Sequence, residues 1–426
     1  MRQYLLLGVM LALVLPTTAL KALDISGTWQ GLDKTRHVLE IRKVHGSYVG
    51  ELYNLGDESY GATRNGNTVS AFNFDGGFVR FSLDNTEGAF RGKLAEDGKT
   101  IIGTWQPMFG PAHALTFARA NKQTEWVIDP SPHEILFVTV QKGVKLEVLD
   151  WGGIGPPLIL LAGLGNTAHE FDDLAPKFTG KHHVFAITRR GFGLSGSPAF
   201  TDENYDSDRL GDDVLAVMTT LEINKPVLAG HSQAGEELSS VGTRHPEKIA
   251  GLVYLDSLFQ YAFYDPARAS LDVETAIVKR DLSEMFELQN SPIQWRALIA
   301  EVQAHIPPLQ KAMQETVDML EGAPETPPMN KPNDLAANRI VANTRPYGVA
   351  SVPVLAILAM PRQCQPGCDK ALANILAGDI ERADLFERKT PNVRVVRLPH
   401  ASHYVWRSNE ADVLREMNAF MDGLPN

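Results

Sequence analysis

The chain has 426 residues, 44% hydrophobic and 21% charged, an ordinary globular composition with enough length for two cores. The formal net charge is −11. No lysine- and arginine-rich run of the kind that neutralises phosphates interrupts it, so nucleic acid is excluded as the expected partner; the acidic balance implies solubility and nothing more specific.

The chain begins MRQYLLLGVMLALVLPTTALKALD. Arg2 precedes an apolar stretch from Leu5 to Leu15, Pro16 ends it, and Thr17 and Ala19 offer small residues to a signal peptidase. A bilayer-spanning helix needs about 20 apolar residues, more than are present here. A cleaved export signal over 1–22 is therefore expected, with a retained anchor as the alternative. No later segment is apolar enough to cross a membrane, so the mature protein is expected to be soluble, either secreted or periplasmic.

Residues 24–120 alternate apolar and polar side chains in short runs such as HVLEIRKV, GSYVGELY, GGFVRFSL and GAFRGKL, the period of half-buried strands. Asp-Gly pairs in EDGK and NFDGG mark hairpin turns. ISGTWQ at 25–30 is echoed by IIGTWQ at 101–106. Matching strands at both ends of the region are expected to lie near one another in a small all-β barrel or sandwich. The G-T-W strands resemble the lipocalin-like domains that precede catalytic domains in some exported bacterial proteins. Residues 121–134, with two prolines and no periodicity, read as a linker.

From 135 to the C-terminus, strands alternate with helical patterns. The candidate strands are 135–140, 144–151, 157–162, 182–188, 226–229, 251–256, 352–359 and 393–398. Several are almost wholly apolar, as parallel strands covered on both faces should be. Leu210, Val214, Val217 and Leu221 fall at helical spacing, as do Val413, Leu414, Met417, Phe420 and Met421. The pattern predicts an α/β sheet with helices on both sides. Residues 257–350 break the alternation, with helical stretches at ETAIVKRDLSEMFEL and QWRALIAEVQAHI and a proline-rich bend, EGAPETPPMNKP. They are expected to form a helical lid inserted between two strands. The only cysteines, Cys364 and Cys368 in CQPGC, suit a local disulfide in an oxidising compartment. Two thiols without a neighbouring histidine do not make a metal site, and neither metal nor cofactor is expected.

The chemistry concentrates in VLAGHSQAG, where a strand runs into a helix through Ser232. Gly230, Ala234 and Gly235 surround it with small side chains, as a strained turn requires, although Ala234 breaks the strict G-x-S-x-G form. An exposed hydroxyl at such an elbow, with a helix N-terminus behind it, is the arrangement of a nucleophile. The plain alternative is a tight structural turn. A serine needs a base, and RLPHASHYV after the last strand supplies His403, favoured over His400, which lies close to the strand end. His231, adjacent to the serine on a sharp turn, is expected to pack structurally. The orienting carboxylate is assigned to Asp256 in VYLDS, with Asp369 beyond the cysteine loop as the rival and a helix cap as the plain reading of Asp256. Gln233 and Leu164 are the candidate oxyanion donors, with Gly163 and Gly165 letting LAGLGN turn inward. In RRGFGLS no glycine fingerprint opens a helix, and Arg190 is expected in a surface or subsite ion pair. Phe259, Tyr261, Phe263 and Tyr264 are candidates to line an apolar substrate pocket, or simply to pack the lid.

Taken in order, LAGLGN, TRRGFGLSGSP, GHSQAG, YLDS and LPHASH resemble the α/β-hydrolase superfamily with a lid after the sixth strand. The resemblance covers about 135–426. It implies a cofactor-free hydrolase acting on a small-molecule ester through Ser232, His403 and Asp256. Ala162 stands where many members have a histidine, and no acid follows the seventh strand at the usual place, as in superfamily branches with the acid after strand six. A peptidase, C–C hydrolase or perhydrolase would use the same residues. A non-catalytic ligand-binding protein is the reading from another class. The sequence leaves substrate identity, the role of the β domain and oligomeric state open.

Overall fold

The computed structural model describes residues 24–425 except 34–35, 45, 55–65, 84–87, 108–110, 125, 127–130, 258–260, 266–269, 288–291, 321–334 and 362–369. The expected export segment, the proline-rich bend, the Cys364–Cys368 loop, Phe259 and Asp369 lie outside the described residues.

Eight antiparallel strands come first: β1 (Gly27–Leu32), β2 (Arg36–Val44), β3 (Ser47–Asn54), β4 (Gly66–Asp75), β5 (Phe78–Leu83), β6 (Gly88–Leu94), β7 (Thr100–Pro107) and β8 (His113–Arg119). They close into a barrel, β1 pairing with β8 through Trp29 opposite Arg119 and Gly31 opposite Phe117. Of the two architectures open from sequence, the barrel is the one formed. The echoed G-T-W strands, β1 and β7, flank β8 on its two sides, so the repeat does mark neighbouring positions. Alternation sends Val79, Phe81 and Leu83 of β5 inward and leaves Phe78 exposed, the period-2 rule at work. Trp29, Phe90 and Phe117 are fully buried, with Phe81 stacked 5.2 Å from Phe90 and Phe117 edge-on to it at 5.2 Å. Side chains of this size fill the interior of a barrel of eight strands.

The second sheet contains β9 (Glu134–Gln141), β10 (Val144–Gly152), β11 (Pro157–Leu161), β12 (His183–Ile187), β13 (Val227–His231), β14 (Gly251–Leu255), β15 (Val354–Leu358) and β16 (Val393–Arg397). Their spatial order is β16-β15-β14-β13-β11-β12-β10-β9, antiparallel around β10 and parallel from β12 to β16. Every residue of β13, β14 and β15 is buried, because helices cover both faces. The chain order reverses between β11 and β13, and the C-terminal strand ends there open the crevice where such sheets place ligands.

Helices α1 (Asp202–Tyr205), α2 (Ser207–Thr220) and α3 (Gly235–Arg244) precede the inserted segment. Asp206 caps α2, its carboxylate accepting from the Asp208 N–H at 2.9 Å. Among the described residues, three helices lie between β14 and β15: α4 (Leu271–Glu287), α5 (Pro292–Leu320) and α6 (Leu335–Val341). The helical stretch QWRALIAEVQAHI seen in the sequence falls within the second of these. The helix continues beyond that stretch through Pro307 and Pro308 to Leu320. The prolines remove backbone donors, but packing on α4 holds the helix, with Leu298 and Ala312 buried and His305 Nδ1 2.6 Å from Asp281 Oδ2. The C-terminal region adds α7 (Lys370–Lys389), α8 (Val405–Ser408) and α9 (Glu410–Asp422). Among the described residues no helix is long and apolar enough to cross a membrane.

Candidate active site

Register decides which residues meet at the sheet's C-terminal edge. His231, the last residue of β13, pairs with Leu255, the last of β14. The next residue on each strand, Ser232 and Asp256, therefore leaves the sheet from adjacent positions. Both turn with positive φ, 52° and 42°, a region other residues than glycine rarely occupy and one that stores strain at functional turns. Ser257 Oγ donates to the Ser232 carbonyl, tying the two turns together.

The serine turn also explains its own broken motif. Ala234 has an ordinary helical φ of −63° and tolerates a methyl group. At Gly235 a Cβ would lie 2.2 Å from Ser257 Oγ and 2.8 Å from Tyr261 Cβ. The position that must be bare is thus one residue later than the strict pattern places it.

His403 comes from the turn between β16 and α8. Its Nδ1 lies 2.6 Å from Asp256 Oδ2, and Asp256 Oδ1 accepts from the Ala359 N–H at 2.9 Å. Asp256 is buried, its side chain 3% exposed, whereas that of His403 is 44% exposed. An imidazole that donates from Nδ1 keeps Nε2 as an acceptor in its neutral form. His400 sits exposed in the turn with φ 65°. His231 packs as expected: it is 1% exposed, its ring lies 4.5 Å from that of His403, and its Nε2 is 3.1 Å from the His403 carbonyl oxygen. It thereby supports the backbone that carries His403.

The loop after β11 is pressed against the serine turn. A Cβ on Gly163 would stand 2.8 Å from His231 Nδ1 and 3.5 Å from Ser232 Cβ. Two buried charges that sequence reasoning missed hold this loop. Arg189 donates to the carbonyls of Ala162 at 2.8 Å and Gly163 at 3.2 Å while pairing with Glu237 at the start of α3. Glu170 accepts from the Gly163 N–H at 3.0 Å and from the Asn166 amide, which also donates to Tyr404 Oη at 3.0 Å. The Leu164 N–H has no acceptor among the described residues, and Gln233 is buried at the head of the helical turn that leads into α3. Arg189 was hidden in a glycine-rich run, and nothing in NTAHEF marked Glu170 as more than a loop acid. Arg190 corrects an expectation. It lies in neither a surface nor a subsite pair but is fully buried, bidentate to Asp213 at 2.5 and 2.6 Å, because α2 folds back over the β12 loop.

Behind the site, Glu236 is completely buried. It accepts from Ser207 Oγ at 2.7 Å, from Thr344 Oγ1 and from the Arg345 N–H at 3.3 Å. Burial pushes its carboxyl up to about 8; these donors pull it down and the neighbouring Glu237 charge pushes it further up. Of the candidate pocket aromatics, Tyr264 donates its hydroxyl to Glu274 of α4, and Tyr261 accepts a bond from Ser239 Oγ on its carbonyl. Phe263 packs against the sheet core.

A family model described as "Alpha/beta hydrolase family" matches residues 158–416, more than half of the chain, and the protein belongs to that family. The curated relatives include fluoroacetate dehalogenase of Burkholderia sp., 28% identical over 116 residues, 27% of this chain and 38% of that protein. Epoxide hydrolase 4 of Mus musculus is 29% identical over 168 residues, 37% of this chain and 46% of its own length. The chain thus spans less than half the length of the curated relatives it matches. Among solved structures, E-2-(acetamidomethylene)succinate hydrolase is 18% identical with a TM-score of 0.42, covering 68% of this chain and 100% of that one.

Proposed function

We propose that this α/β hydrolase is an exported serine hydrolase that cleaves small-molecule carboxylic esters without a cofactor. The observation that carries the reading is the 2.6 Å contact between His403 Nδ1 and Asp256 Oδ2, with Asp256 leaving the sheet beside Ser232. In the proposed cycle His403 Nε2 takes the Ser232 proton as Oγ adds to the ester carbonyl, and Asp256 stabilises the imidazolium. The N–H groups of Gln233 and Leu164 receive the oxyanion. His403 then returns the proton to the leaving alkoxide, and a water activated by the same base hydrolyses the acyl-enzyme. The helices between β14 and β15 act as the lid, with Tyr261 and Tyr264 on the chain that leads into it from β14.

The relatives' names include a dehalogenase and an epoxide hydrolase, reactions at saturated carbon. Attack there by Ser232 would leave an alkyl ether that water does not cleave, whereas an acyl ester turns over. The residue at the elbow therefore favours acyl transfer for this chain. The test is turnover of p-nitrophenyl esters together with fluorophosphonate labelling, in the parent protein and in Ser232→Ala. Both signals should vanish in the variant while its circular dichroism and Tm stay unchanged. Ester turnover that survives the substitution refutes the mechanism; a parent that labels but prefers aminoacyl amides or vinylogous diketones refutes the substrate class alone.

A further inference from the structure

A second cluster of chemistry-bearing side chains lies outside this site, where residues 131–133 run up to β9. Ser131 Oγ donates to the Asp172 carbonyl at 3.2 Å and accepts from Trp151 Nε1 at 2.7 Å. This seats the His133 ring edge-on to Trp151 at 5.1 Å and to His169 at 5.2 Å. His169 belongs to a short 3-10 helix, Ala168–Phe171, that follows the loop after β11. His133 Nδ1 lies 3.3 Å from Asp172 Oδ1, and His169 Nδ1 lies 3.2 Å from Asp172 Oδ2. The ligand atoms of the three residues all fall within 4.8 Å of one another. The side chains are 2%, 11% and 3% exposed for His133, His169 and Asp172.

We propose that His133, His169 and Asp172 bind a divalent transition-metal ion of the Zn²⁺ type, which clasps the segment before β9 to the turn carrying Glu170. The spacing is the first argument. Zn–N and Zn–O bonds of about 2.0–2.2 Å in a tetrahedral site separate neighbouring ligand atoms by roughly 3.3–3.5 Å. Histidine–aspartate hydrogen bonds elsewhere among the described residues are shorter, from 2.6 Å for His403–Asp256 and His305–Asp281, through 2.8 Å for His183–Asp150 and His113–Asp33, to 3.0 Å for His37–Asp33. The contacts at Asp172, 3.3 Å to Oδ1 and 3.2 Å to Oδ2, come closest to that spacing, one histidine on each carboxylate oxygen.

The surroundings are the second argument. Glu147 is buried, its Oε2 accepting from Thr188 Oγ1 at 2.6 Å and its Oε1 standing 3.7 Å from His169 Nε2. With Nδ1 of His169 on the metal, the Nε2–H faces this carboxylate, the outer partner that metal-bound imidazoles commonly have. Two imidazoles and a carboxylate suit Zn²⁺ and its neighbours in the first transition row. Nothing in the sequence marked this site: His169 and Asp172 stand three residues apart, but His133 lies 36 residues earlier and only folding brings it to them. The site's role is structural. Its ion would fix the turn whose Glu170 holds the Gly163 N–H, and the proposal stands apart from the serine chemistry.

The test uses untagged full-length protein stripped with a chelator and titrated with Zn²⁺ by calorimetry and with Co²⁺ by visible absorption. One ion per chain, a rise in Tm on adding Zn²⁺ back, and tetrahedral Co²⁺ bands are expected. His133→Gln and Asp172→Asn should each weaken binding by more than about 100-fold and Glu147→Gln by roughly 10–100-fold, while His245→Gln, outside the cluster at the end of α3, should bind like the parent. Should either ligand variant fail to fold, Glu147→Gln decides. A folded parent without stoichiometric binding, or binding that survives His133→Gln or Glu147→Gln unchanged, overturns the assignment.

Discussion

Replacing Asp256 by Asn tests the proposed mechanism at its least expected member. Asp256 uses its two oxygens differently: Oδ1 accepts from the Ala359 N–H at 2.9 Å, and Oδ2 faces His403 Nδ1 at 2.6 Å. An asparagine has one acceptor. Its oxygen must stay with Ala359, because turning the NH2 toward that N–H would bury two donors against each other. The NH2 then faces Nδ1 and forces the imidazole to carry its proton on Nε2, where it cannot act as base toward Ser232. The substitution also removes the charge that stabilises the imidazolium in a site only 3% exposed on the acid side. The equivalent change in a serine-protease triad lowers kcat about 10⁴-fold, which corresponds to roughly 5.4 kcal/mol of transition-state stabilisation. Stability should change by only about 1 kcal/mol, since the bond to Ala359 survives. The assay is kcat and kcat/KM on a p-nitrophenyl ester, with urea unfolding to confirm the fold. A folded variant that keeps kcat within tenfold of the parent would show that another carboxylate, Asp369 foremost, serves His403, and the reasoning from register would be wrong.

Two further outcomes follow from buried charge. Arg189→Met leaves Glu237 buried without its partner and releases the carbonyls of Ala162 and Gly163; urea unfolding should show a loss of about 3–5 kcal/mol, and a loss below 1 kcal/mol would mean the ion pair does not hold the loop. Glu236 has its folded-state carboxyl raised to about 8 from 4.5, so between those values the folded state binds more protons than the unfolded one. Stability should fall as pH rises from 4.5 toward 8 and level off above it. Glu236→Gln should flatten that slope in a pH series of urea melts, and an identical slope in parent and variant would show that Glu236 titrates normally.

The central parallel strands of the second sheet were legible because strands covered on both faces are written as apolar runs, as in PLILLA, GLVYLD and VPVLAILA. The barrel's strands were equally plain in alternation, though barrel and sandwich share that pattern and only the β1–β8 pairing separates them. The continuation of α5 through Pro307 and Pro308 was not legible, since the local signal says stop and the packing on α4 is what overrides it.

Local sequence was enough to single out Ser232, because a strand, a bare turn and a helix leave a written trace within ten residues. It also offered Asp256 and His403 as candidates from their positions past strand ends. That these two touch was decided by the pairing of β13, β14, β15 and β16, which brings together residues 147 positions apart. The buried partners Arg189 and Glu170, the inward turn of Arg190 onto Asp213, and the meeting of His133 with His169 and Asp172 were likewise decided only by folding. A charged side chain reads as surface in sequence, and nothing but the three-dimensional neighbourhood says which charges have been given a partner in the dark.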